Sequence, residues 1–207
     1  DTSRLMHGTI YHALYDRPLA EARGLVIDLI PEGSSVLDIA CGTGELCFEL
    51  AACKNCRVVG VDLSRRMIDF AQRRNRCDNV RFAHRDGTDL TGLEPGVFDY
   101  ATVLFLLHEL PREKQVEILN EALRVAGQVV VIDSKAPLPW NLHGIALRVV
   151  EASGGLQHYR PFADYLAAGG IGGILTDPRI GASVAHRSIF WHGCREMVVL
   201  ESKTVAV

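Results

Sequence analysis

Three aspartates in the first half of the chain each stand at or near the end of a short apolar run. Asp38 lies in Val36 to Ile39, Asp62 closes Arg57 to Asp62, and Asp86 follows Val80 to Ala83 within Arg85-Asp86-Gly87. A carboxylate so placed can accept both hydroxyls of a vicinal diol in a charge-assisted bidentate bond, or accept from a ring amino group. After the first acid comes Ala40-Cys41-Gly42-Thr43-Gly44, a turn of small residues that opens onto an amphipathic stretch from Glu45. Glycine suits such a turn because its backbone can take a positive φ or meet a ligand with no Cβ in between. The helix start that follows adds unpaired N–H groups and the positive end of a dipole. A fourth run, Phe98 to Leu104, leads through Phe105-Leu106-Leu107 to His108. An imidazole that titrates near neutral pH can take up a proton there. The competing role is architectural, because His108-Glu109-Leu110-Pro111 directly precedes a helix and the ring can simply bond the loop and shape an apolar mouth.

Placing these residues requires strands that alternate with helices. Residues 36–40, 57–62, 80–84, 98–104 and 128–133 read as strands, and 45–54, 64–76 and 111–125 as helices. Short apolar runs separated by helical patterns imply right-handed crossovers and a parallel sheet covered on both faces. Ligands bind such sheets beyond the C-terminal strand ends, where Asp38, Asp62, Asp86 and His108 all fall. Two ligand classes use a turn of this kind: dinucleotides, through G-x-G-x-x-G, and S-adenosylmethionine (SAM), through an acid followed by small residues at alternate positions. The third dinucleotide glycine would fall at Cys47, whereas Asp38, Ala40, Gly42 and Gly44 fit the second pattern.

From about residue 34 to 137 the chain resembles the class I SAM-dependent methyltransferases, in particular the ubiquinone/menaquinone-biosynthesis group of small-molecule enzymes. DIACGTG is similar to their first motif, VVGVDLS to the second, RDG to the adenine loop, and FDYATVLFLLHEL to the fourth motif with its loop; LRVAGQVVVIDSKAP matches the helix, fifth strand and following segment. The usual Pro-Gly-Gly before strand five is reduced to Ala126-Gly127, which shortens a turn and touches no cofactor contact. The resemblance implies an α/β fold, a doubly wound, mostly parallel seven-stranded Rossmann-like sheet ending in a C-terminal antiparallel hairpin, with 1–207 forming a single domain.

It also implies roles for individual residues. Asp62 would hold the ribose, Asp86 and Gly87 the adenine, and Leu63 would pack on the adenine face. Ala40, Gly42 and Gly44 would let the backbone approach the methionine moiety, Asp38 would orient the turn or bond the methionine amino group through water, and Leu104 would line the cofactor site at the apolar mouth. His108 is then the candidate catalytic base. Each aspartate also reads as a helix-capping carboxylate. The activity implied is in-line transfer of a methyl group to a small-molecule acceptor, quinol- or phenol-like, with S-adenosylhomocysteine (SAH) as product. The alternatives are a non-catalytic SAM-binding protein and an NAD-dependent Rossmann oxidoreductase. The Asn/Asp-Pro-Pro-aromatic turn of nucleic-acid base methyltransferases does not follow strand four.

Outside the matched stretch, Ala182 to Trp191 and Arg195 to Ser202 read as a hairpin joined by His192-Gly193-Cys194. Residues 1–33 read as an N-terminal helical segment, weak over 4–15 and better from Leu19 to Ile30; Tyr11, Tyr15, His7 and His12 are candidate contacts there. Ser134 to Arg160 is a long connection with a helical piece at 141–152, a break at Gly154-Gly155, and a short helix expected over Phe162 to Ala168. A connection this long is more often functional than idle, so 134–170 is expected to form a substrate lid, with Trp140, His143, His158 and Tyr159 as acceptor contacts.

Composition limits the partners. A net charge of −3 with no long basic run argues against nucleic acid. No apolar stretch is long enough to span a membrane and no signal peptide is evident, so a soluble, cytoplasmic protein, monomer or homodimer, is expected. Cys53-Lys-Asn-Cys56 has C-x-x-C spacing but lacks a second pair, so no metal site is expected and the six cysteines read as reduced thiols.

Overall fold

A computed structural model of the chain describes residues 19–203. The expectations placed on Tyr11, Tyr15, His7 and His12 and on a helix over 4–15 lie outside the described residues. The elements are α1 (Ala20–Leu29), β1 (Ser35–Ile39), α2 (Glu45–Lys54), β2 (Arg57–Asp62), α3 (Arg65–Arg74), β3 (Val80–His84), β4 (Phe98–Leu104), α4 (Arg112–Val125), β5 (Ala126–Ser134), α5 (Leu142–Ser153), α6 (Leu156–Ala167), α7 (Gly170–Ile174), β6 (Ala182–Phe190) and β7 (Arg195–Ser202). The strands form one seven-stranded sheet in the order β3-β2-β1-β4-β5-β7-β6. β1 pairs parallel with β2, and β2 with β3. β7 runs antiparallel to both β5 and β6. This is the doubly wound, mostly parallel sheet with a C-terminal hairpin that the sequence implies.

The chain divides into two compact units, Asp1–Thr102 with Val125–Gly127, and Val103–Arg124 with Gln128–Val207. In the first, α1, α2 and α3 bury Val26, Leu50 and Ile68 beside Leu37, Ile39, Val58 and Val80, all at most 2% exposed. Burying such a side chain stabilises a fold by about 1.5–3 kcal/mol. Local chemistry sets the helix ends: Ser64 accepts from the Met67 amide at the start of α3, and α2 stops at Asn55 in the left-handed region, φ 52°.

In the second unit Val129 to Ile132, Leu119, Phe162, Ile171, Ile174 and Val198 are fully buried. A smaller cluster joins Leu138, Leu147, Phe162 and Cys194, with Tyr159, Leu166 and Trp191 packed against it. One expectation is corrected here. The helix expected from Phe162 begins at Leu156 and runs through Pro161, because Gly155 at φ 90° re-aims the chain and its carbonyl accepts from the Tyr159 amide. The glycine-rich 169–173 stretch contains the helical turn α7, entered through Gly169 at φ 90°. Among the described residues no helix is long and apolar enough to cross a membrane.

Candidate functional site

The turn after β1 is built from three residues in the left-handed region: Ala40 at φ 60°, Gly42 at 54° and Gly44 at 80°. The two glycines serve different ends. A Cβ on Gly44 would meet the Phe82 ring at 2.5 Å, and one on Gly60 would meet the same ring at 2.7 Å. Both therefore make room for Phe82, which packs edge-on against Phe48 at 5.5 Å. A Cβ on Gly42 would meet nothing within 4 Å. The space beside Gly42 is open, whereas Gly44 is required both by its positive φ and by the close approach of Phe82.

Asp62, at the end of β2, accepts from the Gly42 amide at 2.9 Å through one oxygen and from the Ser64 amide at 2.7 Å through the other. Burial raises its pKa against the opposing pull of these two amides. A carboxylate offers about four lone-pair sites, so these bonds fix its orientation and leave capacity for a diol. Leu63, next in the chain, is 67% exposed, and its carbonyl meets the His84 ring at 2.9 Å. Asp86 is exposed, with one oxygen accepting from the Thr88 amide and hydroxyl at 2.9 and 2.8 Å. These bonds close a turn within its own loop, and since no helix follows β3 before β4, Asp86 does not cap a helix; Gly87 beside it is half-buried.

Asp38 sits behind the turn, 4% exposed. It accepts from the Thr102 hydroxyl at 2.6 Å and from the Cys47 thiol at 3.4 Å. Burial pushes its pKa up to about 6, with both hydrogen bonds opposing and the charge on Asp62 adding to the rise. Cys47, at the position of a third dinucleotide glycine, is fully buried and its own pKa is raised well above the ordinary value, first by burial.

In the second unit, His108 is 5% exposed. Its Nδ1 lies 2.6 Å from Asp133 Oδ1, and its backbone amide donates to Asp133 Oδ2 at 3.2 Å. Its Nε2 lies 3.8 Å from Glu151 Oε1, which α5 contributes. Burial pulls the imidazole pKa down, but Asp133 and then Glu151 outweigh it and hold it above the usual histidine value. Burial pushes Asp133 the other way, and the His108 cation with the Ser134 amide hold it below the ordinary carboxylate range. Tyr165 donates to the Ser134 carbonyl at 2.9 Å, and Arg195 donates to the Ser134 hydroxyl at 2.6 Å while lying 4.7 Å over the Phe105 ring. Gln115 clamps the loop by donating to the Leu107 and Leu110 carbonyls.

The remaining expected acceptor contacts divide. Tyr159 is half-buried with its ring 6.0 Å from Phe162. His143 stacks on His192 at 3.6 Å, and Trp140 is 82% exposed under the Arg148 guanidinium at 4.1 Å. The His158 side chain lies outside the described residues, and Leu104 is half-buried at the end of β4. Sequence reasoning missed Thr102, Phe82, Asp133, Glu151, Tyr165 and Arg195. One signal was there: Asp133-Ser134 interrupts an apolar strand, as Glu151 interrupts an apolar helix.

The strand order, the antiparallel seventh strand and the acids around a glycine turn define the Rossmann-like methyltransferase fold. Residues 36–128 match a family model described as a methyltransferase domain. The demethylmenaquinone methyltransferase of Staphylococcus saprophyticus is 30% identical over 112 residues, 52% of this chain and 48% of that protein. The chain spans about half the length of the curated relatives it matches. Among solved structures, the PH0226 protein of Pyrococcus horikoshii covers 91% of both chains at TM-score 0.69 and 20% identity. Magnesium protoporphyrin IX methyltransferase of Synechocystis, solved with bound SAH, covers 90% of this chain and 82% of its own at TM-score 0.62 and 22% identity. Over residues 36–128 and in its fold, the chain is similar to the class I SAM-dependent methyltransferases.

Proposed function

We propose that the chain binds SAM at the turn of its first unit and methylates a small, apolar acceptor of quinol or phenol type. The observation that carries the proposal is the Asp62 carboxylate, pinned by the Gly42 and Ser64 amides beside the open Gly42 backbone and the exposed Leu63 side chain. SAM, when bound, supplies a methyl group on a sulfonium, open to in-line displacement by the acceptor. Asp62 accepts from the ribose hydroxyls, Leu63 covers the adenine face, and Asp86 with Gly87 borders the ring. Asp38 orients the turn from behind through Thr102 and Cys47. Ala40 and Gly42 give the methionine moiety a backbone surface to lie on. Chemistry of this kind asks the protein mainly for positioning and exclusion of water. A buried cysteine bonded to Asp38 at the third-glycine position favours SAM over a dinucleotide.

The acceptor class draws support from the demethylmenaquinone methyltransferases that the chain resembles. The segment 134–170 forms the acceptor wall in this reading, with Tyr159 on it. His108 acts as the anchor of that wall: both ring nitrogens face carboxylates, one of them on α5. The base role requires the ring to exchange Glu151 for the acceptor.

Calorimetry with SAH tests the proposal. Asp62→Ala removes charge-assisted bonds worth roughly 1.5–3 kcal/mol each, so affinity should fall by at least about tenfold in a folded variant. Unchanged affinity would sink the ribose assignment, and a turnover screen over quinols, phenols, amines and carboxylates then decides the acceptor.

A further inference from the structure

We infer that the outward face of α5, with Trp140 before it and Leu156 after it, is an interfacial docking surface for a bilayer containing anionic lipid. Gly144, Leu147 and Glu151 form the buried side of the helix. Leu142, Ile145 and Val149, spaced three and four apart, line the other side at 78%, 46% and 63% exposure, and Val150 beside them is 52% exposed. Trp140 and Leu156 flank the helix at 82% and 83%. Single exposed apolar residues are ordinary, but a helix apolar on its solvent side over several turns marks a surface that something covers.

Charge identifies the kind of partner. Between Lys135 and Asp164 the only acidic residue is Glu151, and it is buried on the inward side beside His108. Arg148 lies 4.1 Å over the Trp140 ring and donates to the carbonyls of Leu138, Pro139 and Gly144. Those acceptors are neutral, so the arginine keeps its positive charge at the rim of the apolar face, and Arg160 is exposed further along. An apolar face with a tryptophan, cations at the rim and no exposed acid is the pattern of a helix that lies in the headgroup plane of an anionic leaflet. A second copy of the chain fits less well, because a two-fold pairing of this face sets its cationic rims against each other. With 12 residues, α5 is about 18 Å long, too short to cross a bilayer.

This inference does not depend on the identity of the methyl acceptor, and its test is separate. The full chain is sedimented with vesicles of phosphatidylcholine alone and with vesicles containing an equal amount of phosphatidylglycerol. Partition should be at least about tenfold stronger to the anionic vesicles and should weaken with salt. In a Trp191→Phe background, Trp140 emission should shift to the blue on binding. Ile145→Glu with Val149→Glu, both on the exposed face, should abolish the partition and leave SAH affinity and melting temperature unchanged. Three results would overturn the inference: no sedimentation of the wild-type chain with either vesicle, equal sedimentation with both, or a concentration-dependent dimer that the two glutamates dissolve. The last outcome would make the face an interface between copies.

Discussion

Asp38 and Asp62 in the first unit and Asp133 in the second are held in opposite ways. In the first, among the described residues, Asp38 and Asp62 accept hydrogen bonds from neutral donors: a hydroxyl, a thiol and two backbone amides. Neutral donors offset burial incompletely, so both carboxylates titrate above the usual range. In the second, Asp133 faces the His108 imidazole at 2.6 Å and is held below that range. The first arrangement fixes the direction of a carboxylate and keeps acceptor capacity at a strand end. The second spends its charges on one another and ties α5 to the loop after β4. One suits ligand binding, the other holds a wall in place.

The largest expected effect tests the second half of that contrast. Asp133→Ala leaves the buried His108 without its closest partner, and breaking such a pair costs about 3–5 kcal/mol. Urea unfolding should show a loss of that size; a loss under about 1 kcal/mol would mean that the pair does not hold the wall.

Next comes the contrast between the two turn glycines. Gly44→Ala drives a Cβ to 2.5 Å from Phe82 at φ 80°, with an expected loss of about 2–4 kcal/mol in stability. Gly42→Ala meets open space at φ 54° and should cost about 1 kcal/mol in stability, with its larger effect on SAH affinity. Equal stability losses would erase the distinction between packing and ligand approach.

His108→Gln should destabilise by about 1–3 kcal/mol and remove a pH dependence. A histidine whose folded pKa is raised contributes stability that is complete below its unfolded value and is lost as pH rises through the folded value. This His108 contribution to the wild-type melting temperature should therefore decline as pH rises above the ordinary histidine value, and His108→Gln should lack it. Turnover of the folded variant should stay near normal; loss of most turnover together with the neutral-pH limb of the rate profile would establish the base role instead.

The smallest effect concerns Asp38. Its raised pKa means that the stability favouring its protonated form is complete below about 3.8 and is lost as pH rises through about 6. If the ionised form orients the turn, SAH affinity should fall by about tenfold per pH unit below 6. Asp38→Asn should flatten that profile, which calorimetry across pH 5–7.5 would show.

Much of the fold and about half of the candidate site could be read without coordinates. β2, β3 and β4 and the helix over 45–54 have the expected bounds, because apolar runs, capping residues and glycines act within a few positions of themselves. Asp38, Asp62 and Asp86 were findable for the same reason: each belongs to a local strand-and-turn pattern. The start of α6 lies earlier than its apolar pattern suggests, because the glycine before it turns the chain into the helix at Leu156 and burial of Phe162 and Tyr165 holds it there.

By itself, then, the sequence determined the order of strands and helices, the acids at their ends and the glycine turn. Tertiary structure alone decided which glycine makes room for Phe82 and which has open space beside it, and it decided that His108 sits between Asp133 and Glu151. The reason is physical: secondary structure follows from side chains a few residues apart, whereas a buried charge is stabilised by whichever group the folded chain brings within about 4 Å, whatever its distance along the sequence.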